Sequence, residues 1–145
     1  GYTTGKKEII EMLRQRSRPY LFSNSLAPAI VGASIKVFDM LQNDTSLRDK
    51  LAENAAYFKK GMKDAGFDII EGDSAIVPVM LYDAKLSQTM ANMLLEEGIY
   101  VIGFFYPVVP KGKARIRVQL SAAHTKEQLD KAVNSFIKVK EKLKI

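Results

Sequence analysis

The residues from Ser46 to Ile145 predict an α+β layer, a small and mainly antiparallel sheet with helices packed on one face. Three observations predict it. Residues 46–66 carry apolar side chains at helical spacing and end on a glycine. Residues 75–82 and 114–120 switch to dense or alternating apolar patterns of strand length. Helical stripes return after Asp83 and after Thr125, so helices and strands interleave. Residues 1–42 do not belong obviously to that layer, and a long helix within them would bridge it to something else.

The spacing predicts a first helix over 6–17, with Ile9, Ile10 and Leu13 on one stripe. Pro19 ends it, because the residue before a proline avoids helical backbone. A second helix starts near Pro28, whose fixed φ suits a first turn. Ile30, Val31, Ser34, Val37, Phe38 and Leu41 then recur every 3.6 residues, until Gln42-Asn43-Asp44-Thr45 breaks the pattern. Ser46 is placed to cap a third helix, with Asp49 three residues on and Leu47, Leu51, Ala55, Phe58 and Met62 as its stripe. Gly66 sits where a left-handed helix cap is expected. Residues 67–70 read as a short strand, 71–74 as a turn and 75–82 as a buried strand. Asp83 caps a helix bearing Leu86, Met90, Met93 and Leu94, Gly98 closes it, and 99–104 reads as another strand. Tyr106-Pro107-Val108-Val109-Pro110 is a stiff loop. Over 114–120, Ala114, Ile116, Val118 and Leu120 face one way, and Arg115, Arg117 and Gln119 the other. Thr125 and Gln128 form a capping box for a last helix that buries Leu129, Ala132, Val133, Phe136 and Ile137.

Composition narrows the function classes. The chain has 145 residues, 47% hydrophobic and 26% charged, the balance of a globular domain with a real core. It has no cysteine, which removes disulfide scaffolds and thiolate metal sites and fits a reducing, cytoplasmic setting. No apolar run reaches the roughly 18 residues of a membrane span. Lys6-Lys7 is not followed by the apolar core of a signal peptide. The net charge of +6 invites a nucleic-acid reading, yet Arg14, Arg16 and Arg18, and Lys138, Lys140, Lys142 and Lys144, lack interleaved aromatic residues and read as solvated helix faces.

Candidate chemistry is sparse. His124 is the only histidine, so a metal site would be mainly carboxylate, and no metal site is expected. His124 lies just before a helix, where a structural hydrogen bond is the plainer role. No glycine-rich phosphate loop is present. Arg117 is the best binding candidate, because a guanidinium on a strand can grip a carboxylate through two parallel hydrogen bonds. The plainer alternative is an exposed sheet face with two solvated arginines, Arg115 and Arg117. On spacing alone Ser23, Asn24 and Ser25 read as a helix cap ahead of a phosphate contact at a helix N-terminus.

Three stretches carry more than spacing: GYTTG at the start, RPYLFSNSLAPA over 18–29, and FFYPVVPKGKARIRVQLSAAHT over 104–125. Together they resemble the C-terminal part of the 2-amino-3-ketobutyrate coenzyme A ligases, or glycine C-acetyltransferases. These belong to the α-oxoamine synthase group of fold-type I enzymes that depend on pyridoxal phosphate. The resemblance runs over essentially the whole chain.

It implies that 1–42 is the end of a large cofactor domain with its bridging helix, and 43–145 a small C-terminal domain, within a homodimer. It implies a transferase of threonine catabolism that interconverts 2-amino-3-oxobutyrate plus coenzyme A with glycine plus acetyl-CoA, with pyridoxal phosphate as the electron sink. The family's Schiff-base lysine would lie just before Gly1, so this chain alone is expected to be inactive. Lys6 and Lys7 lie after the motif and do not replace that lysine, and His124 is not the family's ring-stacking histidine. Two positions carry over: Ser23 as a contact to the cofactor phosphate of the neighbouring subunit, and Arg117 as the ligand of the amino-acid carboxylate. Arg115 has no assigned role. The competing expectations are an autonomous α+β module that binds an anion or partner through Arg117, and a basic nucleic-acid-binding domain.

Overall fold

Prolines and glycines set most of the boundaries in this chain, and packing then decides which segments become strands. The computed structural model describes residues 2–22 and 26–145. It divides into two compact units, Gly1–Thr45 and Ser46–Ile145.

Among its described residues the first unit holds three helices, α1 (Lys7–Arg16), α2 (Arg18–Phe22) and α3 (Pro28–Asn43). The helix expected over 6–17 ends at Arg16, and the break falls at Ser17, whose backbone is extended. The short α2 was not foreseen. Pro19 takes an early position in it, where a missing N–H removes no helical hydrogen bond. Pro28 opens α3 in its first turn as the sequence predicts. None of the residues in these helices is buried, and Tyr20, Leu21 and Phe22 are each more than two-thirds exposed (68%, 74% and 77%).

The second unit is the α+β layer. Its elements are α4 (Ser46–Asp64), β1 (Ile76–Tyr82), α5 (Ala84–Glu96), β2 (Ile102–Phe104), β3 (Ala114–Gln119) and α6 (Lys126–Leu143). The sheet runs β1-β3-β2, with β3 antiparallel to both neighbours. Val77 and Val79 from β1, and Ile116 and Val118 from β3, turn inward to Phe58 and Met62 of α4, Met90 and Leu94 of α5, and Phe136 of α6. Phe136 meets Phe58 and Phe67 edge-on, with ring centroids 6.5 and 5.7 Å apart. Leu47, expected in the α4 stripe, is exposed instead.

Local signals end the helices as the sequence predicts. Gly66, with φ of 72°, lets the Phe67 N–H donate to the Met62 carbonyl and its own N–H donate to that of Lys63. Gly98, with φ of 81°, repeats the arrangement at the end of α5 on the carbonyls of Leu94 and Leu95. Asp83 caps α5 by accepting from the Leu86 N–H, and Thr125 with Gln128 closes a capping box on α6.

Two expected strands are cut short, each for a visible reason. Residues 67–70 make only a single bridge, Ile69 to Val79. The Ile70 N–H donates to the Pro78 carbonyl, so the N–H that Pro78 lacks would have pointed to this same side. The proline leaves β3 pairing intact and prevents a regular ladder on the outer edge of β1. The strand expected over 99–104 is paired only over Ile102–Phe104. The Ile99 N–H is committed to the cap of α5, and 99–101 diverge from 118–120 without pairing.

Gly103 packs closely against α5. A Cβ there would lie 2.9 Å from the Ser87 carbonyl oxygen of α5 and 3.0 Å from its carbon. Gly103→Ala should therefore push β2 off α5 and lower stability by about 1–3 kcal/mol, the usual cost of overpacking. The urea midpoint of the chain, followed by circular dichroism, measures it; an unchanged midpoint contradicts the contact.

Candidate functional site: the outer face of β3

Parity along β3 decides what the sheet shows to the outside. Ala114, Ile116 and Val118 are buried, so Arg115, Arg117 and Gln119 project from the opposite face. Arg117 is centred in the sheet, with Pro78 of β1 and Ile102 of β2 as cross-strand partners. The guanidinium carbon lies 5.7 Å from the centroid of the Phe104 ring, a diagonal neighbour on β2. Among the described residues no carboxylate pairs with Arg117; the ion pairs engage other cations. Arg115 differs. It is half-buried, and its Nε donates to the Lys113 carbonyl at 3.1 Å.

Arg117 lines an open depression of about 530 Å³, together with Tyr100, Phe104, Gln119 and His124. This depression lies where β2 and β3 part, before Ile102 and after Arg117. A second one, of about 370 Å³, opens on the helix side of the same gap, over Phe58, Leu129 and Ala132, and His124 lines it too. The sequence separates Arg117 and His124 by seven residues, and the fold brings them to one hollow.

The turn that carries His124 is fixed from two directions. Asn54 on α4 is 1% exposed, and its Nδ2 donates to the carbonyls of Ser121 (3.0 Å) and His124 (2.9 Å). The Ser121 N–H donates to His124 Nδ1 at 3.2 Å, and the Ala123 N–H to Ser121 Oγ at 3.2 Å. Asn54 was missed in the sequence. The one available signal was an amide on the apolar side of the α4 stripe, one residue before Ala55.

The segment 97–101, the other wall, is tied to α6 at Glu97. Lys138 Nζ donates to Glu97 Oε2 at 2.7 Å and Lys142 Nζ to Oε1 at 3.3 Å. The Lys138 hydrogen bond, aided by that of Lys142, holds the Glu97 carboxyl below the usual carboxylate range, against a smaller opposing effect of desolvation. Ser23, Asn24 and Ser25 lie outside the described residues. Among the described residues no cluster of three or more His, Cys, Asp or Glu side chains could hold a metal ion, and no helix is long and apolar enough to cross a membrane.

Residues 1–136 match the family model described as Aminotransferase class I and II. The chain belongs to that family. Among curated members, the chain is 59% identical over 143 residues to the 2-amino-3-ketobutyrate coenzyme A ligase of Escherichia coli K12, covering 99% of this chain and 36% of that one. It is 52% identical over 139 residues to the mitochondrial enzyme of that name from Mus musculus, covering 96% and 33%. It is also 52% identical to the 8-amino-7-oxononanoate synthase of Thermosipho melanesiensis, over 99% and 37%. The chain thus spans about a third of the length of these relatives. A serine palmitoyltransferase from S. paucimobilis, solved with a bound PLP-myriocin aldimine, superposes with a TM-score of 0.85 at 32% identity, over 92% of this chain and 34% of that one. The small antiparallel sheet with its helices is the C-terminal portion of this aminotransferase fold, fold-type I, as the resemblance implied.

Glu97 offers a pH-dependent test of the wall of the hollow. Its folded pKa is depressed, so between the folded and unfolded values the unfolded chain binds more protons and stability rises with pH. The contribution is complete above the unfolded carboxylate pKa of about 4.3 and is lost as pH falls through the lower folded value. Glu97→Gln should therefore be less stable than the parent at neutral pH, with the gap closing as the solution is acidified through that window. Urea midpoints measured across the acid range check this; a gap independent of pH contradicts it.

Proposed function

We propose that this chain is the C-terminal part of a pyridoxal-phosphate-dependent acyltransferase. The intact enzyme interconverts 2-amino-3-oxobutyrate plus coenzyme A with glycine plus acetyl-CoA. The observation that carries the reading is Arg117: an exposed guanidinium, centred in a sheet, steadied over an aromatic ring, and without a carboxylate partner among the described residues. The 59% identity to a 2-amino-3-ketobutyrate coenzyme A ligase supports the choice of substrates.

In this reading Arg117 binds the carboxylate of glycine or of 2-amino-3-oxobutyrate through two parallel N–H···O bonds. A carboxylate held at two points cannot rotate freely, so the grip fixes which bond at the adjacent carbon lies across the cofactor plane. Phe104 limits the guanidinium to one face of the ring, which reduces the rotamer freedom lost on binding. Pyridoxal phosphate, when bound, supplies the electron sink for that carbon. Ser23 is proposed to contact the cofactor phosphate of the neighbouring subunit in a homodimer, on the strength of the resemblance of FSNS at 22–25. Residues 1–42 are assigned to the end of the large cofactor domain and 43–145 to the small domain. The Schiff-base lysine is placed upstream of this chain, which by itself is then inactive. A cytoplasmic location belongs to the same reading; a mitochondrial one, as in the name of the mouse relative, is the other outcome of a localisation test.

One observation favours a second reading. Ser46–Ile145 has a core of its own, which an autonomous anion-binding module also needs. Borohydride reduction of the intact gene product separates the two. A pyridoxyl adduct on a lysine just before the sequence Gly1-Tyr2-Thr3 is expected. No adduct on any lysine favours the binding module.

Arg117→Ala in the intact enzyme should raise the KM for glycine about 10- to 100-fold, the loss of a charge-assisted pair. Arg117→Lys should recover little of it, because a point charge does not reproduce the fork. Steady-state kinetics against glycine at saturating acetyl-CoA measures both, and unchanged glycine kinetics refutes the carboxylate assignment.

A further inference from the structure

His124 is left without a task by the reading above, although the fold goes to some length to hold it. The Ser121 N–H donates to Nδ1 at 3.2 Å, so Nδ1 carries a lone pair and the ring proton resides on Nε2. Asn54 pins both ends of the turn through the carbonyls of Ser121 and His124. The ring is thus fixed in orientation as well as in tautomer. With Nδ1 turned back onto its own turn, the Nε2 side of the ring is the side left to face the two hollows that His124 lines. Among the described residues nothing accepts a hydrogen bond from Nε2. The residue is half-buried, yet no buried side-chain nitrogen or oxygen among the described residues lacks a partner, so Nε2 is open to solvent and to a ligand.

The same hollow holds Arg117. A carboxylate gripped by a guanidinium fork uses one lone pair on each oxygen and keeps the others free for a further donor. Tyr100 and Gln119 also line the hollow, but Tyr100 is 78% exposed and Gln119 is exposed, so each would lose more freedom on binding. His124 alone among these donors is already immobilised. We propose that His124 is a second substrate-binding residue of this site, donating from Nε2–H to an oxygen of the carboxylate held by Arg117. This rests on the assignment of that carboxylate to Arg117. The turn 121–124 would then serve as a rigid bracket that carries a neutral donor beside a charged one.

Two substitutions separate the binding role from the structural one. In His124→Asn the side-chain oxygen can take the place of Nδ1 and accept from the Ser121 N–H, while the Nε2 donor is lost. In His124→Gln the terminal amide can reach the place of Nε2 and donate, while the acceptor inside the turn is lost. In the intact holoenzyme, His124→Asn should raise the glycine dissociation constant, read by titrating the cofactor absorbance, about 10-fold, the weight of one such hydrogen bond. Its thermal midpoint should stay near that of the parent. His124→Gln should hold glycine within about 3-fold and melt lower. If His124→Asn also melts lower, His124→Gln decides: retained glycine affinity supports the proposal, and lost affinity overturns it. Unchanged glycine affinity in His124→Asn overturns it outright. Arg117→Ala in the same titration keeps the two ideas apart. If it weakens glycine while His124→Asn does not, only the His124 proposal fails. If it has no effect, the Arg117 assignment fails and His124 falls with it.

Discussion

β3 is paired on both sides, by β1 along its whole length and by β2 over three residues. A strand locked by two ladders cannot rotate, and a slip by one residue would exchange its faces. Ile116 and Val118 would then point outward and Arg115 and Arg117 would be forced into an apolar core, which costs far more than any local gain could offset. The direction of Arg117 is therefore decided by the burial of its neighbours. Met62, Met90 and Phe136, none of which lines either hollow, are among the residues that aim it.

The hollow beside Arg117 comes from the opposite cause, a place where pairing stops. Gly98 turns the chain so that the Ile99 N–H satisfies the end of α5, and the sheet loses three residues of ladder in consequence. Unpaired strand ends normally close up or fray. Here the two sides are held apart, one by Glu97 tied to α6 and the other by Asn54 tied to the 121–124 turn. A helix cap, an ion pair and one buried amide thus convert a defect of the sheet into a hollow with a defined floor.

What could be read from the sequence follows from the range of the forces involved. Gly66, Gly98, Asp83 and the Thr125–Gln128 pair act within five residues of themselves, and each was legible. The alternation over 114–120 was legible because period and burial agree there. The failures need partners distant in sequence. Whether Pro78 ruins a ladder depends on which side its missing N–H would face, and only the pairing with β3 settles that. Asn54 looks like one polar residue among several on α4 until Ser121, 67 residues away, is seen to need it. Arg117 was singled out from parity and from the resemblance together; its lack of an acidic partner could only be seen in the fold.

The basic character of the chain takes on a different meaning in the structure. The C-terminal lysines read as a cluster in sequence, yet three of the four have partners within the chain. Lys138 and Lys142 engage Glu97. Lys140 donates to the carbonyls of Ala65 and Gly66 at the end of α4, where a cation is favoured, and lies 4.8 Å from the centroid of the Phe67 ring. Lys59 and Lys63 likewise secure the turn before β1, on the carbonyls of Gly72 and Ser74 and on Glu71. Cations already engaged with partners at the ends of the layer are less available to a polyanion. Arg117 is in the reverse position: the fold holds its base rigidly and gives its charge no counterpart among the described residues. That contrast, more than the net charge of +6, favours the proposed carboxylate site over a nucleic-acid surface.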